Sequence, residues 1–243
     1  METPNKILVT ICNYNHNQYL KESIESIQNQ SYDNLDICVV DDGSDNLEEF
    51  KDILEGFSDT RIRYHINNEN KGKWWCLNEA IRTTDATICT SHDADDVSLK
   101  QRIQAQYLAL VESKAVNNLC GFYHCFEESH VKKYKDLTLD VNDGLKLIGC
   151  PEVTKTVTRG FQLPGINHFY TGNFETAGTS AMFYQTIWIH GIRFHPPNLG
   201  LRTLLSEDSD FNYRVTALTS RTSILAEKLY CYRRNTSTNQ EEL

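Results

Sequence analysis

The chain has 243 residues, 40% of them hydrophobic and 23% charged, with a formal net charge of −9. This is the composition of an ordinary soluble globular protein, and its negative balance argues against general nucleic-acid binding. No uninterrupted apolar run approaches the roughly 18 residues of a membrane-spanning helix, so none is expected.

In chain order, Lys6-Ile-Leu-Val-Thr-Ile-Cys12 is a continuous apolar run, the pattern of a strand buried on both faces. The polar turn Asn13-Tyr-Asn-His-Asn17 follows, then a helix with Leu20, Ile24 and Ile27 on one face. A second buried strand, Leu35 to Val40, ends in Asp41-Asp-Gly-Ser-Asp45, which joins carboxylates to a turn glycine. The pattern then predicts a helix over Leu47 to Leu54, a more exposed strand over Arg61 to Ile66, a turn to Gly72 and a helix over Trp74 to Arg82. A fourth strand, Ala86 to Ser91, runs up to Asp93. Strands and helices alternating with short connections call for a parallel sheet with right-handed crossovers.

Beyond it, a helix is expected over Leu99 to Val111 and a strand over Leu119 to Phe126. The stretch from Glu127 to Ala177 has no clean period, and we read it as part of an acceptor side. Its aromatic residues, among them Phe161, Phe169, Tyr170 and Phe174, suit either packing or stacking on a sugar. Thr179 to Tyr184 reads as a strand, and Gln185 to His190 as a short helix stopped by Gly191. Ser206 is placed to cap a helix whose first turn carries Glu207, Asp208 and Asp210 and whose Phe211, Val215 and Leu218 face inward. A last strand covers Ser223 to Tyr230. We read one domain over 1–243: a donor half (1–98), an acceptor and catalytic half (99–234) and a polar tail (235–243).

The eight cysteines include no C-x-x-C pair, and Cys12, Cys38, Cys89 and Cys231 lie in strand-like runs. Buried free thiols in a reducing cytosol fit better than a disulfide framework or a zinc site. Met1-Glu-Thr-Pro leads directly into the first strand, so no signal peptide is expected. The reading is a cytoplasmic protein that meets a membrane only through its acceptor.

The chemistry concentrates in Thr87-Ile-Cys-Thr-Ser-His-Asp-Ala-Asp-Asp96, where a buried strand delivers acids to its carboxyl end, the ligand edge of open α/β sheets. Asp93 and Asp95 are two apart and share a side of an extended backbone. Two hard oxygens suit Mg²⁺ or Mn²⁺, which fills its remaining positions with phosphates and water. His92 adjoins the acids as a further candidate ligand, with a structural role as the competing reading.

Taken in order, Thr10-Ile-Cys-Asn-Tyr-Asn15, Val39-Val-Asp-Asp-Gly-Ser44, Asn70-Lys-Gly72 with Asn78, Asp93-Ala-Asp-Asp96, Gly178-Thr-Ser-Ala-Met-Phe183 and Glu207-Asp208 resemble family 2 glycosyltransferases of the GT-A fold. The resemblance implies a Rossmann-like, mostly parallel α/β sheet flanked by helices, with a smaller mixed sheet on the acceptor side. It implies that Tyr14 stacks on the donor base and that Asp42 accepts from its ring N–H. Cys12 stands where Pro or Thr is commoner, beside the nucleoside. Lys71 and Gly72 match the turn that approaches nucleoside and phosphates, and Asn78 belongs to the same donor-binding motif. Asp95 is implied as the direct metal ligand, with Asp93 on the ribose or the metal's waters. Asp208 matches the catalytic base, and Arg233, in Tyr230-Cys-Tyr-Arg-Arg234, a Tyr-Arg motif beside the active site.

The implied function is inverting, Mn²⁺- or Mg²⁺-dependent glycosyl transfer. The donor would be a nucleotide diphosphate sugar, of which UDP-sugars are commonest. The acceptor would be a hydroxyl on a glycan, a lipid-linked saccharide or a protein. Two readings compete. A sugar nucleotidyltransferase shares the fold and the acids, but Asn13 to Asn17 contains neither glycine nor lysine for a triphosphate loop. A non-catalytic glycan- or sugar-nucleotide-binding module would not need Asp93, Asp95 and Asp208 intact.

Overall fold

The computed structural model describes residues 5–138, 147–148, 180–196, 206–219 and 221–234. The aromatic residues between Phe161 and Phe174, Gly178, and the polar tail lie outside the described residues. The elements are β1 (Ile7–Asn13), α1 (Asn17–Gln28), β2 (Leu35–Asp41), α2 (Leu47–Glu55), β3 (Ile62–Ile66), α3 (Lys73–Arg82), β4 (Ile88–Asp93), β5 (Val97–Ser98) and α4 (Arg102–Glu112). They continue with β6 (Asn117–Cys125), α5 (Glu128–Tyr134), β7 (Leu147–Ile148), β8 (Met182–Tyr184), α6 (Gln185–Ile189), α7 (Glu207–Thr219) and β9 (Thr222–Arg233).

β1 is central and parallel to β2 and β4, and β3 forms the edge beyond β2. Because side chains alternate along a strand, β1 feeds two cores. Ile7, Val9 and Ile11 pack with Leu20, Ile24 and Ile27 of α1 and with Phe50 and Leu54 of α2. Leu8 packs on the other face with Cys76, Leu77 and Ile81 of α3 and with Phe211 and Val215 of α7. α2 starts where it does because the Asn46 side chain accepts the Glu49 amide (3.2 Å), with Glu48 and Glu49 in the favourable first turn.

Past β4 the sheet changes character without ending. β8 runs antiparallel to both β4 and β6, β6 and β9 are parallel, and β5 and β7 pair antiparallel with β9. The smaller mixed sheet is therefore the continuation of the central one, in the order β3-β2-β1-β4-β8-β6-β9-β5 among the described residues.

Three expectations need correction. α4 starts at Arg102, because Val97 and Ser98 are drawn into pairing with β9 and the Leu99 amide donates to the Leu229 carbonyl (3.0 Å). α5 arises inside the stretch read as aperiodic; its one buried side chain, Val131, leaves no stripe to detect. Leu218 is not inward-facing but 71% exposed. The apolar stripe of α7 ends at Val215, and the last turn is held by polar contacts, such as Thr216 with Thr222 (2.6 Å).

Candidate active site

The register aligns the carboxyl ends of three strands: Cys12 of β1 lies opposite Val40 of β2 and Asp93 of β4. Turns therefore leave the sheet side by side. In the turn after β2, the buried Asp41 accepts from Asn13 Nδ2 (2.7 Å), the Ser44 amide (2.9 Å) and the Ser44 hydroxyl (2.7 Å). Gly43 has φ +77°, and a Cβ there would stand 2.6 Å from the Glu69 carbonyl carbon, so the two turns meet backbone to backbone.

Asp42 joins them. Its Oδ1 accepts from Asn67 Nδ2 (2.8 Å) and the Lys71 amide (2.9 Å), and its Oδ2 from the Gly72 amide (2.8 Å). A carboxylate has about four acceptor positions, so Asp42 is chiefly a clamp on the 70–72 turn, with about one position left for a base. The Lys71 ammonium lies over the Trp75 ring, 4.2 Å from its centroid. Tyr14, in the turn after β1, is 37% exposed. Cys12 lies half-buried against the Cys76 thiol. Asn78 ties α3 to the segment after α6. It donates to the Phe194 carbonyl (2.9 Å) and accepts from the Phe194 amide (3.1 Å) and Trp188 Nε1 (2.9 Å).

The three strand-end acids have different surroundings. Asp96 is fully buried and accepts the Arg233 amide (2.8 Å). Burial, with the Asp95 and Asp93 charges, pushes its pKa well above the ordinary carboxylate range. Asp93 meets Lys73 Nζ at 2.5 Å. Burial raises its pKa, Lys73 opposes the rise, and the Asp95 and Asp208 charges add to it. Asp95 faces His16, with Nδ1 3.6 Å from Oδ2, while His16 Nε2 is buried without a hydrogen-bond partner.

Behind this loop, Arg233 donates to the Asp95 carbonyl (2.6 Å), to Glu128 (2.8 Å) and to Glu22. Its side chain, 3% exposed, is held by these groups and braces the acid loop from behind. His92 is not a ligand. It is buried among Ser98, Arg102 and the Asp96 carbonyl, and burial, reinforced by the Arg102 charge, holds its pKa well below normal.

α7 brings the remaining acids, anchored by Phe211, whose ring stacks on Phe194 at 4.1 Å. Glu207 Oε1 lies 3.8 Å from Lys73 Nζ, and burial raises its pKa against the pull of Lys73. Asp208 accepts from the Ser209 amide (2.6 Å) and the Ser206 hydroxyl, so Ser206 serves this carboxylate. Asp208 also acts electrostatically on both Lys73 and Asp93. Asp93, Asp95, Glu207 and Asp208 are thus gathered at one edge with Lys73 among them. Sequence reasoning missed Lys73, His16 and Glu22. Only Lys73 left a signal: a cation at a helix N-terminus is electrostatically disfavoured and needs a partner beyond its own helix.

Among the described residues no group of three or more His, Cys, Asp or Glu side chains could hold an ion unaided. The pair Asp93 and Asp95, both partly accessible, suits the other kind of site. There one or two carboxylates hold the cation and phosphates complete its shell.

The chain is similar to known proteins in both sequence and fold. GlyA of Streptococcus pneumoniae serotype 4, a glycosyltransferase, is 27% identical over 96% of this chain and 31% of its own length. Glycosyltransferase GlyG of the same organism is 34% identical over 51% of this chain and 40% of its own length. The chain spans about a third to two fifths of these two relatives. Among solved structures, S. aureus TarS 1-349 in complex with UDP-GlcNAc superposes with a TM-score of 0.64 over 96% of this chain and 59% of that one, at 15% identity. The mannosyltransferase PcManGT of Pyrobaculum calidifontis, in complex with GDP-Man and Mn²⁺, gives 0.63 over 98% and 59% at 17% identity. At such identities the likeness is one of fold. Residues 8–187 match the family described as glycosyl transferase family 2, and this chain belongs to it.

Proposed function

We propose that the chain transfers a sugar from a nucleoside diphosphate donor, preferentially a UDP-sugar, to an acceptor hydroxyl with inversion at the anomeric carbon. The observation that carries this reading is the convergence of Asp93 and Asp95 of β4 and its turn with Glu207 and Asp208 of α7 around Lys73. It sets metal-type carboxylates and a candidate base on one edge. The donor reading draws support from UDP-GlcNAc in the TarS complex and GDP-Man in the PcManGT complex. A lipid-linked acceptor draws support from WfgD of Escherichia coli, described as UDP-Glc:alpha-D-GlcNAc-diphosphoundecaprenol beta-1,3-glucosyltransferase and 28% identical over 50% of this chain.

In this reading Tyr14 stacks on the base, and Asp42 holds the 70–72 turn so that its backbone meets the nucleoside. Asp95, with Asp93, would hold a divalent cation, which supplies Lewis-acid stabilisation of the departing diphosphate when bound. Asp208 takes the proton of the attacking hydroxyl, a role worth about 10²–10⁴-fold. Ser206 and the Ser209 amide orient its carboxylate. One base facing an attack opposite the leaving group means single displacement, the logic of inverting glycoside hydrolysis with a sugar hydroxyl in place of water.

The test is a nucleotide-sugar panel read by nucleoside diphosphate release, repeated with Asp208→Asn. The expected result is UDP release with transfer lowered about 10²–10⁴-fold in the variant and donor affinity nearly unchanged. Release of pyrophosphate, or normal transfer by Asp208→Asn, would overturn the reading.

A further inference from the structure

Lys73 is the first residue of α3, directly after the 70–72 turn held by Asp42. Its ammonium lies 2.5 Å from Asp93 Oδ1 and 3.8 Å from Glu207 Oε1, with its side chain 22% exposed. It therefore links the donor turn, the strand-end acids and the helix that carries Asp208. Its charge offsets part of the mutual repulsion of Asp93, Glu207 and Asp208, all three of which act on it electrostatically. A divalent ion reaching Asp93 meets a carboxylate oxygen already engaged by an ammonium. A Lys ammonium is a compact charge on a flexible stem of four carbons, so it can leave that oxygen and take another anion nearby.

We propose that Lys73 is an exchangeable counter-cation that neutralises Asp93 while the site is empty and moves to the donor diphosphate when metal and nucleotide enter together. This rests on the donor reading above. Its consequence is coupling: the diphosphate draws Lys73 off Asp93 and so opens the carboxylate to the metal, and by linkage the metal favours the nucleotide equally. Metal alone must displace Lys73 with only Glu207 to receive it and no diphosphate, and binds more weakly.

Calorimetry of Mn²⁺ alone, UDP alone and the two together tests this on the wild-type chain, Lys73→Met and Lys73→Arg. Lys73→Met should bind Mn²⁺ alone about tenfold more tightly than wild type and UDP with Mn²⁺ about tenfold more weakly, within the usual 5–150-fold range of coupling. Lys73→Arg, whose planar fork grips a carboxylate at two points, should bind Mn²⁺ alone more weakly than wild type. This arm keeps the test open if Lys73→Met does not fold. Unchanged affinity for Mn²⁺ alone in Lys73→Arg, or in a folded Lys73→Met, overturns the role of Lys73 while metal-dependent UDP binding by the wild type leaves the donor reading standing. Absence of any UDP or GDP binding by the wild type, with or without Mn²⁺, overturns both.

Discussion

At the scale of single residues, chemistry at this site is divided between groups that face the cleft and groups that hold it open. Asp42 shows the division. The family resemblance marks it as a candidate donor contact, yet three of its acceptor positions are taken by Asn67 and by the Lys71 and Gly72 amides. Asp42→Ala leaves three donors without their acceptor, and should cost about 2–4 kcal/mol in urea unfolding together with nucleotide affinity. A variant of wild-type stability would show that the clamp is dispensable. The role was not legible because the partners lie 25–30 positions away and include two backbone amides, which carry no residue-type signal. A second residue-scale expectation concerns acid. The Arg61 guanidinium beside Asp59 holds the carboxyl down at about 2, from an ordinary 3.8. A depressed carboxylate pKa gives stability that is full above the unfolded value and lost as pH falls through the folded one. Asp59→Asn should therefore be less stable than wild type at pH 7, by about 1 kcal/mol after allowing for solvent screening. The gap should close between about pH 4 and pH 2; a gap that persists at pH 2 would contradict the assignment.

At the scale of elements, helices with a wide apolar stripe were legible and those without one were not. α1 buries Leu20, Ile24 and Ile27, the residues its periodicity singles out. α5 buries only Val131, and is fixed by tertiary contacts: Arg233 binds Glu128, and Tyr134 stacks on Tyr123 of β6 at 4.1 Å. Asn78 works between elements too, tying α3 to Phe194 and Trp188. Asn78→Ala should lower the unfolding midpoint, costing about 1–3 kcal/mol for the polar groups left unpaired, with UDP affinity per folded molecule unchanged. A selective loss of UDP binding at wild-type stability would instead make Asn78 a donor contact.

At the scale of the whole molecule, the parallel half was legible because β1, β2 and β3 pair as neighbours in sequence and only β4 crosses back to β1, so local patterning carries most of the topology. The mixed half was not, since β6 and β9 pair across about a hundred residues, Asn117 with Thr222 through to Cys125 with Arg233. The candidate site straddles this boundary, and its acid loop depends on the far partner. Arg233→Lys keeps a charge but cannot reproduce a planar fork shared among Glu22, Glu128 and the Asp95 carbonyl. It should weaken metal-dependent UDP binding more than metal-free binding; equal losses in both would exclude action through Asp95.

Among the described strands, β9 is also the last to leave a ribosome. Asp96 waits 137 positions for the amide of Arg233, and the Asp93 amide as long for the Tyr230 hydroxyl. A nascent chain can therefore assemble β1 to β4 and their helices while the loop bearing Asp95 and Asp96 is still unpinned. On the proposed reading, competence to bind a metal-loaded donor arrives only when synthesis has passed Arg233. A ribosome-stalled chain exposed only to about Thr219 should protect the β1 amides from hydrogen exchange while those of Asp95 and Asp96 exchange freely. Early protection of both would mean that the loop holds its shape without β9.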